Sequence, residues 1–152
     1  TELLTGDALG VLIVSFGVGI VVGLTGVVIE DCEIDGGRLN PDASAVGYEG
    51  YTIRRCDIHG TGSGLHMTNN VVIEGNWVHD LHEGEDSHND AVLTNGGRNL
   101  VVRHNTLENP HTQTAVVALY GDVEPVVDVV VEAVDEDLID DPEHGDRHPL
   151  PR

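Results

Sequence analysis

Short runs of alternating apolar and polar residues recur along the chain. Each run has an aliphatic residue at its second position and another at its seventh. The copies are VIEDCEI from Val28, TIRRCDI from Thr52, VIEGNWV from Val72 and VVRHNTL from Val101, and a fainter VVEA follows at Val130. Alternation over so few residues predicts short strands, and the polar residues between them predict turns. The chain is therefore expected to consist of many short β-strands.

The copies return at intervals that fit one coil of a repeat. Aligning Ile29, Ile53, Ile73, Val102 and Val131 gives separations of 24, 20, 29 and 29 residues. A second series lies between them, namely SAV from Ser44, SGL from Ser63, DAV from Asp90 and TAV from Thr114. Each period thus holds at least two strands, which cannot bury an apolar row alone, so successive periods must stack. We predict an all-β solenoid of about five coils.

Stacking places equivalent residues in columns. The aligned Ile and Val residues form an inward column, and the residues after them alternate in sign along the stack: Glu30, Arg54, Glu74, Arg103 and Glu132. Opposite charges on neighbouring strands attract, whereas like charges would repel. A further column starts with Cys32 and Cys56 and continues as Asn76 and Asn105, which suggests an Asn ladder at a bend. We expect the two cysteines to touch, with or without a disulfide.

Composition sets the limits of the domain. Hydrophobic residues make up 39% of the 152 residues but aromatic residues only 3%, so the core must be aliphatic. We assign residues 1–132 to the solenoid, with 1–26 as a poorly matching first coil, and 133–152 to an acidic, disordered tail. The uncharged stretch from Ala8 to Ile29 is interpreted as a buried β-coil, with a membrane or signal segment as the alternative.

The net charge of the chain limits the classes of macromolecule that it can bind. The chain has 27 acidic and 7 basic residues, a formal net charge of −20, and no Lys. Phosphate binding needs clustered Lys and Arg, so nucleic acid is excluded as a partner. Anionic membrane surfaces are excluded on the same ground.

The repeats resemble those of right-handed parallel β-helix proteins of the pectate-lyase-like superfamily. The motifs that carry the resemblance are VVIEDCEIDGG, TIRRCDIHGTGSGL, VVIEGNWVHDLHEGEDSHNDAV and LVVRHNTLENPHTQTAVV. The resemblance implies a secreted, extracellular protein whose substrate or ligand is a polysaccharide, and a lyase, hydrolase or epimerase activity. The stretch His88-Asn89-Asp90-Ala91-Val92-Leu93 is similar to the HNDGIQ-type motif of such proteins, although Leu93 replaces the amide.

Candidate chemistry is densest between His79 and Asp90. We take His79, His88 and Asp90 as candidate catalytic residues, because His and carboxylates serve as general bases. Carboxylate oxygens suit Ca²⁺, the candidate cofactor. The candidate metal ligands are Asp80, Glu83, Glu85, Asp86 and Asp90. A solvated acidic turn is the plain alternative.

Five other residues are candidates for catalysis or for stacking on a sugar. A uronate lyase needs a base to remove a proton, and without Lys we assign this role to Arg55 or Arg98, which the charge column leaves free, or to a nearby His. Trp77 is the only Trp and is either a sugar-stacking platform or a packing residue. Tyr48 offers a second stacking surface together with Tyr51.

Three interpretations of the function remain open. The first is an extracellular, lyase-like enzyme acting on polysaccharide at the residues 79–90. The second is a non-catalytic β-helix module that binds glycan or cations or gives structural support, and a truncated fragment without activity is the third reading. Fold alone does not decide among them.

Overall fold

Short parallel strands account for all regular structure in the part of the chain that the computed structural model describes, residues 20–22, 26–111, 115–133 and 135–136. Sheet 1 contains β1 (Ile20–Val22), β4 (Ser44–Tyr48), β7 (Ser63–His66), β10 (Val92–Thr94) and β13 (Val117–Leu119). Sheet 2 contains β2 (Val27–Glu30), β5 (Tyr51–Arg54), β8 (Asn69–Glu74), β11 (Gly97–Arg103) and β14 (Val126–Glu132). Sheet 3 contains β3 (Glu33–Asp35), β6 (Asp57–His59), β9 (Trp77–His79), β12 (Thr106–Leu107) and β15 (Asp135–Glu136).

The chain visits the three sheets in the same order in every period. Each strand pairs in parallel with the equivalent strand of the next period, so the strands form the rungs of a β-solenoid of about four turns. The predicted fold class is therefore confirmed. The expectation of at least two strands per period is met with three.

The register of sheet 2 matches the sequence alignment. Ile29 pairs with Ile53, Ile53 with Ile73, Ile73 with Val102, and Val102 with Val131. The first four members of this column are buried, whereas Val131 in the last described rung of sheet 2 is 45% exposed. Burial of this aliphatic column supplies the core that a single rung lacks.

The charge column also forms as predicted. Arg54 contacts Glu30 at 2.6 Å, and Arg103 contacts Glu74 at 3.2 Å. The bonds from Arg54, and next those from Arg55, hold the pKa of the Glu30 carboxyl below its usual range. These side chains are largely solvated, so each pair adds little to stability.

The bend between sheets 2 and 3 has the same length in every rung. Only two residues separate β2 from β3, and the same holds for each later pair of strands. The first of the two always has a left-handed backbone: Asp31, Arg55, Gly75, His104 and Ala133 have φ between 47° and 64°. Left-handed residues other than Gly are uncommon, so their recurrence shows that the stack imposes the bend.

The second residue of the bend builds the Asn ladder. The Asn76 side-chain carbonyl accepts a hydrogen bond from Cys56 N at 3.0 Å, and its amide donates to Ile53 O at 3.1 Å. Asn105 repeats this on the next rung, accepting from Asn76 N at 2.9 Å. Cys32 and Cys56 continue the column with their sulfur atoms 3.3 Å apart, and both are free thiols. The predicted contact between the cysteines is confirmed.

Three further predictions have different outcomes in the structure. The alignment of the Thr114 copy is wrong by one residue, because Val92 pairs with Val117 and not with Val116. The stretch assigned to a tail begins with the bend residue Ala133 and contains β15, which pairs with β12; its remaining residues lie outside those described. Within Ala8 to Ile29, β1 and β2 are strands, and in the described part of the chain no helix is long and apolar enough to cross a membrane.

Candidate functional site

A row of aromatic rings lies on the outer side of sheet 3. Along β9 the residues alternate, so Trp77 and His79 point outward while Val78 between them is fully buried. The indole and imidazole rings stack with centroids 3.6 Å apart and planes at 17°. On the neighbouring rung, His59 stacks on His79 at 5.2 Å and 30°. The three rings therefore form one stacked column across two rungs, in which Trp77 and His59 are partly exposed and His79 between them is 9% exposed.

Carboxylates hold the rings in place from both sides. Asp57 Oδ1 lies 2.7 Å from His79 Nε2, and Asp80 Oδ2 lies 3.1 Å from His79 Nδ1. Trp77 Nε1 donates to Glu108 Oε1 at 2.7 Å. We call the five residues Asp57, His59, Trp77, His79 and Glu108 the Trp77 strip. Its geometry is preorganised, because every ring has at least one polar partner.

The strip continues on the first rung in acidic residues. His59 Nε2 lies 3.0 Å from Glu33 Oε1, and His59 Nδ1 lies 3.7 Å from Asp35 Oδ1. Both carboxylates are more than half exposed. Sheet 3 thus presents ring edges flanked by acceptor oxygens, which is the chemistry of a polar ligand surface rather than of a sealed core.

Asp90 occupies a different place from His79. It lies two residues before β10 of sheet 1, is 2% exposed, and accepts a hydrogen bond from Ala115 N at 2.8 Å. Burial raises its pKa, which the bonds from Ala115 and Tyr120 partly offset. Asp90 is near the end of the corner of residues 80–91, and residues 80–89 separate it along the chain from His79 of the Trp77 strip.

The rest of the predicted acidic cluster faces solvent or holds the corner. His88, Glu85 and Asp86 are exposed. Glu83 pairs with His111 at 3.1 Å, and His111 also contacts Leu81 O at 2.9 Å. Among the described residues, no three His, Cys, Asp or Glu side chains are arranged to hold one metal ion. The Ca²⁺ cofactor and the ligand set of Asp80, Glu83, Glu85, Asp86 and Asp90 stay predictions.

The two candidate arginines lie away from the strip. The expectation that Arg55 is free of the charge column is wrong, since it contacts Asp31 at 2.7 Å and Glu30 at 3.0 Å. Arg98 is exposed in β11 of sheet 2. The five candidate catalytic residues are thus spread over sheet 2, its bend, sheet 3 and the corner, and their catalytic roles stay predictions.

Tyr48 and Tyr51 do not form one surface. Tyr48 is 47% exposed and meets the His66 ring edge-on at 4.7 Å, whereas Tyr51 is buried and donates to His66 O. The paired-tyrosine expectation is therefore wrong for Tyr51.

Sequence reasoning found Trp77 and His79 but missed Asp57 and Glu108. The signal was present for Asp57, because it occupies the same repeat position as Trp77 and the two pair in register. Glu108 follows β12 and reaches Trp77 diagonally across rungs. Such diagonal contacts depend on side-chain rotamers and produce no residue that recurs at equivalent positions of the repeat.

Comparison with known proteins agrees with this architecture. The family described as right handed beta helix region matches residues 13–126. The chain belongs to the right-handed β-helix family. No curated protein and no solved structure matches the chain. The match fixes the fold of this β-helix, while the pectate-lyase-like superfamily and its chemistry stay predictions.

Proposed function

We propose that this β-helix binds a neutral polysaccharide along sheet 3, with the Trp77 strip as the binding surface. The observation that carries the proposal is the stack of Trp77 on His79, extended by His59 on the next rung. Flat, preordered rings offer large contact area to the apolar faces of sugar rings at low entropic cost. Rungs of a solenoid repeat along one axis, as do the units of a polysaccharide.

The carboxylates supply the polar half of such a surface. Glu33, Asp35 and Asp80 are each more than half exposed and retain acceptor capacity beside the rings. Sugar hydroxyls are donors, and a hydrogen bond to a charged acceptor is stronger than one between neutral groups. A ligand rich in hydroxyl groups therefore fits this surface.

The same charges select against uronates. The carboxylates on sheet 3 add to a formal net charge of −20, and an acidic surface repels an acidic polymer. A uronate lyase would need a cation to bridge the two. Since Arg55 is held by Glu30 and Asp31, and both ring nitrogens of His79 lie beside carboxylates, a lyase-like activity receives less support than binding.

Binding can be read directly from the protein, because Trp77 is its only Trp. We would titrate the full chain with a neutral β-glucan, a galactomannan and polygalacturonate and follow Trp emission. We expect a saturable change with a neutral polymer and none with polygalacturonate. Glu108→Gln keeps the indole and should weaken binding several-fold by loosening its orientation.

Affinity electrophoresis then tests the strip without relying on fluorescence. Trp77→Ala should lose at least about tenfold in affinity, equivalent to about 1.4 kcal/mol. Tyr48→Ala, an exposed aromatic on sheet 1, is the matched control and should bind like the parent. Equal retardation of parent and Trp77→Ala, in variants that circular dichroism shows to be folded, would reject the strip as the binding surface.

A further inference from the structure

Cys32 and Cys56 occupy positions of the Asn ladder but make only part of its contacts: Cys56 Sγ lies 3.9 Å from Ile29 O, the carbonyl equivalent to Ile53 O. In later rungs the side chain of Asn76 accepts a hydrogen bond from the bend of the rung before it and donates to a strand carbonyl. A thiol lacks the amide carbonyl that makes this connection. At the bends of the first two rungs, Cys32 and Cys56 instead bring their Sγ atoms to 3.3 Å. The ladder therefore does not explain why both positions carry sulfur.

The two thiols differ in access. Cys56 is completely buried, whereas Cys32 is half-buried and reaches solvent. Cys56 Sγ also lies 3.3 Å from Arg54 O. Only Cys32 can react with a reagent from solvent while the rung stays closed. The sulfur of Cys56 lies behind it, in contact with the sulfur of Cys32.

The acid–base properties of the pair have the same asymmetry. A hydrogen bond from Cys56 lowers the pKa of the Cys32 thiol, against burial and the charge of Asp31. That same bond and burial raise the pKa of the Cys56 thiol. The thiolate is the nucleophile in exchange reactions, so Cys32 is the more reactive sulfur.

We propose that Cys32 and Cys56 form a thiol–disulfide exchange site that takes small, uncharged disulfides, with Cys32 as the attacking and Cys56 as the resolving thiol. In the first step the Cys32 thiolate attacks a disulfide RSSR; a Cys32–SR bond forms, the RS–SR bond breaks, and RS⁻ leaves. In the second step Cys56 gives up its proton to solvent and its sulfur attacks Cys32; the Cys32–Cys56 bond forms and a second RS⁻ leaves. The two cysteines are oxidised and RSSR is reduced to two thiols.

The position of the pair gives this exchange a structural consequence. A Cys32–Cys56 bond joins the first two bends of the stack and closes a loop between residues 24 apart in sequence. Cross-linking of this kind restricts the unfolded chain, so the oxidised protein should unfold at a higher urea concentration. All five residues of the Trp77 strip lie outside the loop of residues 32–56 that this bond would close.

The experiment uses the full reduced chain and hydroxyethyl disulfide as the probe, with intact-mass detection over time. The parent should lose two hydrogens and keep no adduct. Cys56→Ser should stop at one mercaptoethanol adduct on Cys32, because no resolving thiol remains. Cys32→Ser should react at least about tenfold more slowly, since the remaining thiol is buried.

Each result decides the proposal. An intramolecular bond in the parent, a trapped adduct in Cys56→Ser and a slow Cys32→Ser support it. A parent that carries two adducts, a parent that does not react, or equal rates for the two single variants would overturn it. In urea the parent and both variants unfold, and unfolded Cys32→Ser should then react as fast as unfolded Cys56→Ser, which shows that the native difference comes from the fold.

Discussion

The bend between sheets 2 and 3 has the same length in every rung, whereas the corner between sheets 3 and 1 differs in length from rung to rung. The bend always uses two residues, with a left-handed residue first and a ladder residue second. The corner spans residues 36–43, 60–62, 80–91 and 108–116 in successive rungs. Most of the variation in period length therefore falls on the corner. The solenoid keeps its register because one turn is fixed, and this leaves the other free to vary.

The corner is held by individual side chains instead of a repeated device. The buried Asn89 amide donates to carbonyls of three separate segments, at Pro41, Gly62 and His82. Its own backbone carbonyl accepts from Asn109. These bonds link the corners of four successive rungs through one residue. A repeated column protects each bend through its neighbours, whereas the corner depends on a few unique contacts.

The strongest way to break the fixed half of the fold is a charge in its core column. Ile73 is fully buried with Ile53 and Val102 on either side. Ile73→Asp should cost several kcal/mol, because an unpaired charge would be buried. Val130→Asp places the same group at an exposed site of sheet 2 and should change stability by less than about 1 kcal/mol. Urea unfolding measures both, and equal losses would contradict the assigned column.

Removing a single side-chain amide should destabilise the protein more at the bend than at the corner. Asn76→Ala leaves buried partners at Cys56 N and Ile53 O without their bonds and should cost about 2–3 kcal/mol. Asn40→Ala removes an exposed bond to Asp42 N at the corner and should cost less than about 1 kcal/mol. The urea midpoints of the two variants give the comparison. A larger loss at Asn40 would mean that the corner, not the bend, fixes the register.

Lowering the pH should change the stability contributions of Asp90, at the corner, and of Glu30, directly before the bend, in opposite directions. Burial raises the pKa of Asp90 above 3.8, so its ionisation opposes folding as pH rises through the folded pKa. Asp90→Asn should therefore raise the urea midpoint near neutral pH and lose this advantage below about pH 4. Arginine bonds lower the pKa of Glu30 below 4.5, so its contribution is present above that value and is lost on acidification. Glu30→Gln should accordingly be less stable at neutral pH, with the difference vanishing in acid.

The smallest expected effect concerns the charge column. Arg54→Gln removes the 2.6 Å contact with Glu30 and should cost about 0.2–1 kcal/mol, a loss that shrinks as salt is added. Arg98→Gln, an exposed arginine in the same sheet, serves as the control. Thermal melts at low and high salt measure the difference. A salt-independent loss at Arg54 would indicate that its aliphatic stem, not its charge, stabilises the rung.

The sequence was most informative where the stack repeats. The Ile29 column, the alternating charges after it and the Cys–Asn column could all be predicted, because each is written several times at equivalent positions. Even the contact between Cys32 and Cys56 follows from their shared repeat position. The failure at the Thr114 copy follows from the same rule, since this copy falls within the irregular corner before β13, where no repeated column fixes the count.

The candidate site could be predicted only in part. Trp77 and His79 were found as residue types, but no sequence pattern connects them with Glu108, which lies on the next rung. Arg55 was expected to be free, although its left-handed backbone at the bend directs it toward Glu30 and Asp31. The cluster between His79 and Asp90 is contiguous in sequence, yet it spans a corner that leads from one sheet to another.

The described charge column has an odd number of members, and this number determines the charges at its two ends. Five alternating charges necessarily begin and end with the same sign, here Glu30 and Glu132. If two copies were stacked end to end in register, Glu132 of one would lie about 4.8 Å from Glu30 of the next. Like charges directly opposite on neighbouring strands repel. Among the described rungs, the outermost strands of sheet 2, β2 and β14, therefore carry the same charge and disfavour stacking of identical copies, an effect that a further, basic rung would remove.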